Sequence, residues 1–176
     1  MEKEAFSVVS QNDTVLHPIY GKEALHASGT HIHRAVHLFI EGFGGTFVIQ
    51  KKAAGTENAG KWSSAVSGHV KHLESYEEAV IREAKEELGL DVIKDDLLYI
   101  LKAFPCKETG NEFVALYTYL IDREKEQIEI GSEEVDEIMT VPLGDLIVDV
   151  SENTDDYSPA FIELFQCWLE VEKARR

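Results

Sequence analysis

At 176 residues the chain is long enough for one domain with a continuous core and too short for two ordinary ones, and its 44% hydrophobic and 28% charged residues lie inside the globular range. A formal net charge of −16 sets long-range electrostatics against the backbone of DNA or RNA, so polymeric nucleic acid is excluded as the expected partner. The apolar runs are strand-sized, and the start Met1-Glu2-Lys3-Glu4 lacks the basic flank and apolar run of a signal peptide, so no membrane association and a cytoplasmic location are expected.

In chain order, Arg34 to Glu41 and Gly45 to Lys51 are apolar runs on either side of Gly42-Phe43-Gly44-Gly45, the pattern of a β-hairpin. A polar loop from Lys52 to Lys61 leads to Trp62, read as a core residue, and a short run to Ser67. Ser75 to Leu88 has helical periodicity and is closed by Gly89, where a C-cap glycine belongs. Strands follow at Leu97 to Phe104, Glu112 to Ile121 and Val135 to Val141. Pro142 then opens a short helical stretch through Leu146, and Ser158-Pro159 starts a helix with Phe161, Leu164, Phe165, Trp168 and Leu169 at core-facing spacing. Strands interspersed with two longer helices imply an α/β/α sandwich around a mixed β-sheet. No repeat or linker interrupts it, so residues 1–176 read as a single domain. The stripe bearing Trp168 packs either inside the chain or against a twin, the second being the basis for expecting a homodimer. Cys106 and Cys167 are read as reduced core residues, since two isolated cysteines make neither a disulfide framework nor a zinc cluster.

The chemistry concentrates between Gly68 and Leu90. Six glutamates lie between Glu74 and Glu87, against Arg82 and Lys85. At ~100° per residue, Glu83 and Glu87 fall within about 40° of each other and Glu86 about 60° to the other side, so three carboxylates share one sector. Val80, Ile81, Ala84 and Leu88 fill the adjoining sector, which puts the carboxylates at the rim of the core. A solvated acidic face is the plain alternative. Like charges four residues apart, however, cost roughly 0.2–0.5 kcal/mol per pair, and a structural helix would intersperse lysines. Hard oxygen ligands suit Mg²⁺ or Mn²⁺, which bridge to substrate phosphates and supply the local positive charge an acidic protein needs.

Gly68, five residues, Glu74, seven residues, then Arg82-Glu83-Ala84-Lys85-Glu86-Glu87-Leu88-Gly89-Leu90 resembles the Nudix box, G-x5-E-x7-R-E-U-x-E-E-x-G-U. Every fixed position is filled, and Ala84 at an aliphatic position is the single soft one. The resemblance implies a Nudix hydrolase that cleaves a phosphoanhydride bond of a small diphosphate with Mg²⁺ or Mn²⁺. It implies Glu83, Glu86 and Glu87 as metal ligands and Arg82 as the residue that orients them by pairing with Glu74. Gly68 would turn the chain ahead of the loop, and Gly89 would end the helix. The general base comes either from the box, as Glu83 or Glu86, or from outside it, where Glu112 is the candidate; a solvent-facing strand carboxylate is the bland reading of Glu112. Lys51, Lys52 and Lys61 are candidates for substrate phosphates, or else solubilising lysines.

Beyond the box, His26, His33-Arg34-Ala35-Val36, Gln50-Lys51-Lys52, Gly60-Lys61-Trp62, Gly68-His69, Asn111-Glu112 and Tyr157-Ser158-Pro159 resemble the branch that holds type 1 isopentenyl diphosphate isomerases and their hydrolase-like relatives. In those isomerases a cysteine precedes the Gly-His pair, and three histidines with two glutamates bind a second metal. His26, His33, His69 and Glu112 match that set, but Ser67 stands at the cysteine position and Gly110 at the other glutamate. A serine hydroxyl is a far poorer acid than a thiol, so hydrolysis ranks ahead of isomerisation, and a non-catalytic module for nucleotide derivatives ranks third.

Overall fold

The computed structural model describes residues 3–122 and 126–175; the Met1-Glu2 start lies outside them. Three elements precede the expected hairpin. An antiparallel ribbon pairs β1 (Ala5–Val9) with β2 (Val15–Tyr20), and a short α1 (Lys22–His26) follows. The hairpin is β3 (His33–Gly42) and β4 (Thr46–Lys52), with Gly44 and Gly45 at φ of 85° and 74°, a conformation that glycine adopts without a Cβ penalty. Then come β5 (Trp62–Ser64), β6 (Val66–His69), α2 (Tyr76–Leu88), β7 (Leu98–Ala103), β8 (Glu112–Ile121), β9 (Val135–Pro142), α3 (Leu143–Glu152) and α4 (Pro159–Arg175).

Among the described residues the larger sheet has seven strands in the order β5-β4-β3-β8-β7, with β6 also on β3 and β9 also on β4. β3 and β8 run parallel and the remaining pairs antiparallel, so the sheet is mixed as expected. Side chains alternate across β3. Val36, Leu38 and Ile40 pack with Val80, Ala84 and Leu88 of α2 on one face. Ala35 and Phe39 join Phe47, Ile49 and the α4 residues Phe161, Leu164, Phe165 and Trp168 on the other. This is the α/β/α arrangement. The Trp168 stripe is thus covered from within, with the indole 3% exposed and 4.9 Å from the Phe47 ring between centroids, which removes the basis for a dimer built on it.

Three local expectations are corrected. The helix after Pro142 continues past Leu146 to Glu152, because Leu146 and Val150 are both buried one turn apart and Asn153 is the first residue to leave helical backbone. Trp62 is only partly buried, at the edge of the α4-side core, and Lys51 Nζ lies 5.6 Å from its ring centroid. Cys106 and Cys167 are free, as expected, but half-buried and outside both cores. No helix among the described residues is long and apolar enough to cross a membrane.

Candidate active site

The helix α2 is fixed at both ends. Ser75 Oγ accepts from the Glu78 backbone N–H while the Glu78 carboxylate accepts from the Ser75 N–H, and Gly89 at φ 62° donates back to the carbonyls of Ala84 and Lys85. Its register against β3 and β6 then settles where the glutamates go. Glu87 is 2% exposed and receives three donors: Gln50 Nε2 at 3.0 Å, the Ser67 backbone N–H at 3.0 Å and Lys52 Nζ at 3.2 Å. Burial pushes its carboxyl pKa up, and those donors work against the rise. Glu83 lies one turn earlier, nearly buried, and burial together with the charges of Glu87 and Glu86 pushes it up to about 7 against the pull of Arg82. Glu86 is half exposed.

Arg82 ties the group together. Its Nε and Nη2 grip the two oxygens of Glu74 at 2.7 and 2.9 Å, Nη1 reaches Glu83 at 2.7 Å and Glu86 at 3.1 Å, and Nη2 also donates to the His69 carbonyl at 3.0 Å. Glu74 is further held by the Lys71 N–H at 2.8 Å. Gly68 does not turn the chain: it lies inside β6 opposite Val36, and a β-carbon on it would fall into the Glu83 carboxyl. The glycine makes room for that side chain. Glu83, Glu86, Glu87 and Arg82 line one cavity of about 160 Å³.

A second cluster forms at the C-terminal end of β6, next to the first, where the sheet register brings it about. The parallel pairing sets His33 opposite Glu112, and the antiparallel pairing sets Ala35 opposite His69, so the start of β3 carries β8 on one side and β6 on the other. Glu112 Oε1 lies 2.7 Å from His33 Nε2 and 3.0 Å from His69 Nε2, and His26 Nε2 is 3.2 Å from His69 Nε2. Burial alone would raise the Glu112 pKa, but the two imidazoles outweigh it and hold the carboxyl well below the usual range. Burial likewise opposes charge on His33, and Glu112 overrides it, raising that pKa. His26 shifts downward through burial and the neighbouring rings. His33 Nε2, though close to Glu112, has no partner in hydrogen-bond geometry and is fully buried. One ligand atom from each of the three histidines lies within 4.8 Å of the others.

A larger cavity of about 350 Å³ opens beside this cluster, and Lys22, His69 and Glu134 line both it and the carboxylate cavity. Lys52 lines the larger one; Lys51 and Lys61 line neither.

The chain matches the NUDIX domain family over residues 31–165. It belongs to that family. Among curated relatives it is similar to isopentenyl-diphosphate Delta-isomerases, 28% identical over 145 residues to that of Kocuria rhizophila, covering 78% of each chain, and 28% identical over 151 residues to that of Aromatoleum aromaticum, covering 78% of this chain and 72% of that one. Among solved structures it resembles the Deinococcus radiodurans protein DR0079, with a TM-score of 0.75 at 20% identity over 98% of this chain and all of that one. It also resembles the NUDIX domain of Shewanella oneidensis NrtR, solved with ADP ribose, with a TM-score of 0.61 at 15% identity over 80% of this chain and 86% of that one. These likenesses establish the Nudix fold.

Four residues around the two cavities were not singled out as site residues by the sequence. Gln50 and His37 sit inside apolar strand runs and count there as core; only the register turns them toward Glu87 and the larger cavity. Lys22 and Glu134 pair at 2.7 Å across 112 positions, with nothing in either segment to mark them.

Proposed function

We propose that this Nudix protein hydrolyses a phosphoanhydride bond in a small organic diphosphate, using a divalent cation held by Glu83, Glu86 and Glu87. The observation that carries the reading is the convergence of these three carboxylates on one cavity next to a larger one. The donor set suits the ion: all three are hard oxygen ligands on one cavity, and burial pushes Glu83 and Glu87 up, so a bound cation would favour their charged forms. A bound Mg²⁺ or Mn²⁺ would neutralise phosphate charge and make water more acidic.

The remaining chemistry falls to the chain itself. Gln50, the Ser67 N–H and Gly68 fix Glu87 and Glu83; Arg82, anchored on Glu74, aims Glu83 and Glu86. In this reading Glu86, half exposed at the rim, takes the proton from attacking water, its exposure supporting that choice over the more buried Glu83. Glu112 serves differently in this reading from the base considered first: two histidines already engage it, so it belongs with His26, His33 and His69 as a donor set for a second divalent ion. The Nε2 atoms of His33 and His69 both face one Glu112 oxygen, at 2.7 and 3.0 Å, which supports that assignment. Lys52 and Lys22 supply the positive charge for substrate phosphates. The reading takes residues 1–176 as one cytoplasmic Nudix unit acting on a small molecule.

Glu87→Gln keeps the shape of the buried side chain and removes its charge. The expected outcome is a loss of turnover by orders of magnitude with the fold kept; hydrolysis at the native rate would remove the box as the active site. The histidine cluster favours isomerisation as a second reading, with Ser67 and Gly110 against it. Isopentenyl diphosphate incubated with the protein in deuterated water decides between them, deuterium in dimethylallyl diphosphate being the result that reverses the order.

A further inference from the structure

The cavity of about 350 Å³ beside the carboxylates is lined mostly by polar and charged residues. Among the described residues that line it, the apolar side chains are Ala35 and Ala160 alone, with no leucine, isoleucine, valine or methionine and no aromatic ring other than imidazole. Thr56, Asn58, Ser63, Ser67 and Ser158 present hydroxyls and an amide instead, and Glu57 and Glu108 add carboxylates. His37 lies deeper, 6% exposed, with Nδ1 2.7 Å from Ser64 Oγ and no hydrogen bond to Nε2 among the described residues. Burial pushes its pKa down to about 4, so it meets a ligand as a neutral imidazole.

A prenyl chain gains affinity by leaving water for apolar surface, and a nucleobase by stacking on an aromatic face. Among its described lining residues the cavity has no large apolar side chain and no aromatic face other than imidazole, its apolar surface coming from alanines and the carbon stems of polar residues. A polyhydroxylated group needs the reverse, a wall of donors and acceptors that replace its water, and buried polar groups of the site go unpaired when a ligand lacks the matching hydroxyls. We infer that the larger cavity takes a sugar or polyol, so that the substrate is the diphosphate of a polyhydroxylated group whose hydroxyls, and not a base or an alkyl chain, are what the protein reads. The inference rests on the hydrolytic reading of the carboxylate cavity, which shares Lys22, His69 and Glu134 with this one.

The test compares kcat/KM with Mg²⁺ for ribose 5-diphosphate, ADP, dimethylallyl diphosphate and methyl diphosphate. Ribose 5-diphosphate is expected to exceed dimethylallyl and methyl diphosphate by at least ~10-fold, with ADP no better than ribose 5-diphosphate. Dimethylallyl diphosphate as the best substrate, or ADP better by ~10-fold or more, overturns the inference. Cleavage of methyl diphosphate that depends on Glu87, with no preference for ribose, overturns it while leaving the hydrolytic reading intact. No cleavage of any of the four removes both. His37→Phe and, on the exposed loop, Glu57→Leu are each expected to lower the ribose-to-methyl ratio through KM; a ratio unmoved in both overturns the assignment.

Discussion

The carboxyl group of Glu83 occupies the space that a β-carbon on Gly68 would need. The contact joins the strand β6 to the helix α2 at the point where the three carboxylates converge, and it explains why a glycine without left-handed backbone sits there. Gly68→Ala is expected to push the carboxyl aside without unfolding the protein, because the alternative to a clash is rotation of one side chain. A misplacement of ~1 Å at a reacting group costs on the order of 100-fold in rate. Turnover is therefore expected to fall by about that factor while the melting temperature moves little; a variant with native turnover would show that Glu83 is not placed by this contact.

Asp13 sets up a second prediction, on stability. It lies in the β1–β2 turn at φ 59° and accepts from Tyr76 Oη at 2.9 Å, Lys102 Nζ at 2.6 Å and Arg34 Nε at 2.5 Å, which tie the ribbon to α2, β7 and β3. Burial raises its pKa, but the hydrogen bonds from Lys102, Arg34 and Tyr76 outweigh it, and the net shift is downward from 3.8. A carboxyl whose folded pKa lies below its unfolded one stabilises the fold above the unfolded value and ceases to as pH falls through the folded value. Asp13→Asn should cost about 2–3 kcal/mol at pH 7 and much less near pH 2. Denaturant melts at both values check this, equal losses at the two being the contrary result.

The helix with the carboxylates was legible in the sequence because local signals agree there: the Ser75 cap, the Gly89 stop and a periodic apolar stripe all concern neighbours in the chain. The ribbon was not, because β2 is almost wholly exposed, so it has no alternation to read and depends on β1 and on Asp13 for its place. Much of the site falls between these cases. Gly68 was marked by the box and Ser67 by the isomerase resemblance, whereas nothing marked Gln50 and His37 as site residues until β4 and β3 are set in register with α2 and the cavity. Long-range pairing, unlike capping, leaves no trace within a short window.

The histidine cluster has its own test. Imidazole nitrogens with one carboxylate suit Mn²⁺ or Zn²⁺ better than Mg²⁺, while the all-carboxylate group suits Mg²⁺. Changing His26 to Ala, at the exposed edge of the cluster, is expected to weaken Mn²⁺ binding at least ~10-fold by calorimetry and leave Mg²⁺ binding at the box unchanged. Because histidine must lose its proton to ligate, and Glu112 raises the pKa of His33, Mn²⁺ affinity should fall as pH drops through the histidine range. Mn²⁺ binding that is independent of both His26 and pH would return these residues to a purely structural role.

Lys52 stands between the two halves of the site, its ammonium on Glu87 Oε1 and its chain along the larger cavity. An ammonium and a divalent ion compete for the same carboxylate oxygen, so in Lys52→Met the ion meets less repulsion. The substrate, in contrast, loses a cation for its phosphates. Metal affinity at the box is therefore expected to hold or rise, while KM for a diphosphate rises ~10-fold and kcat changes less. The two effects have opposite signs, which separates them from simple misfolding, since a damaged site would lose both. Weaker metal binding together with an unchanged KM would mean that Lys52 only stabilises the buried Glu87 and never meets the substrate.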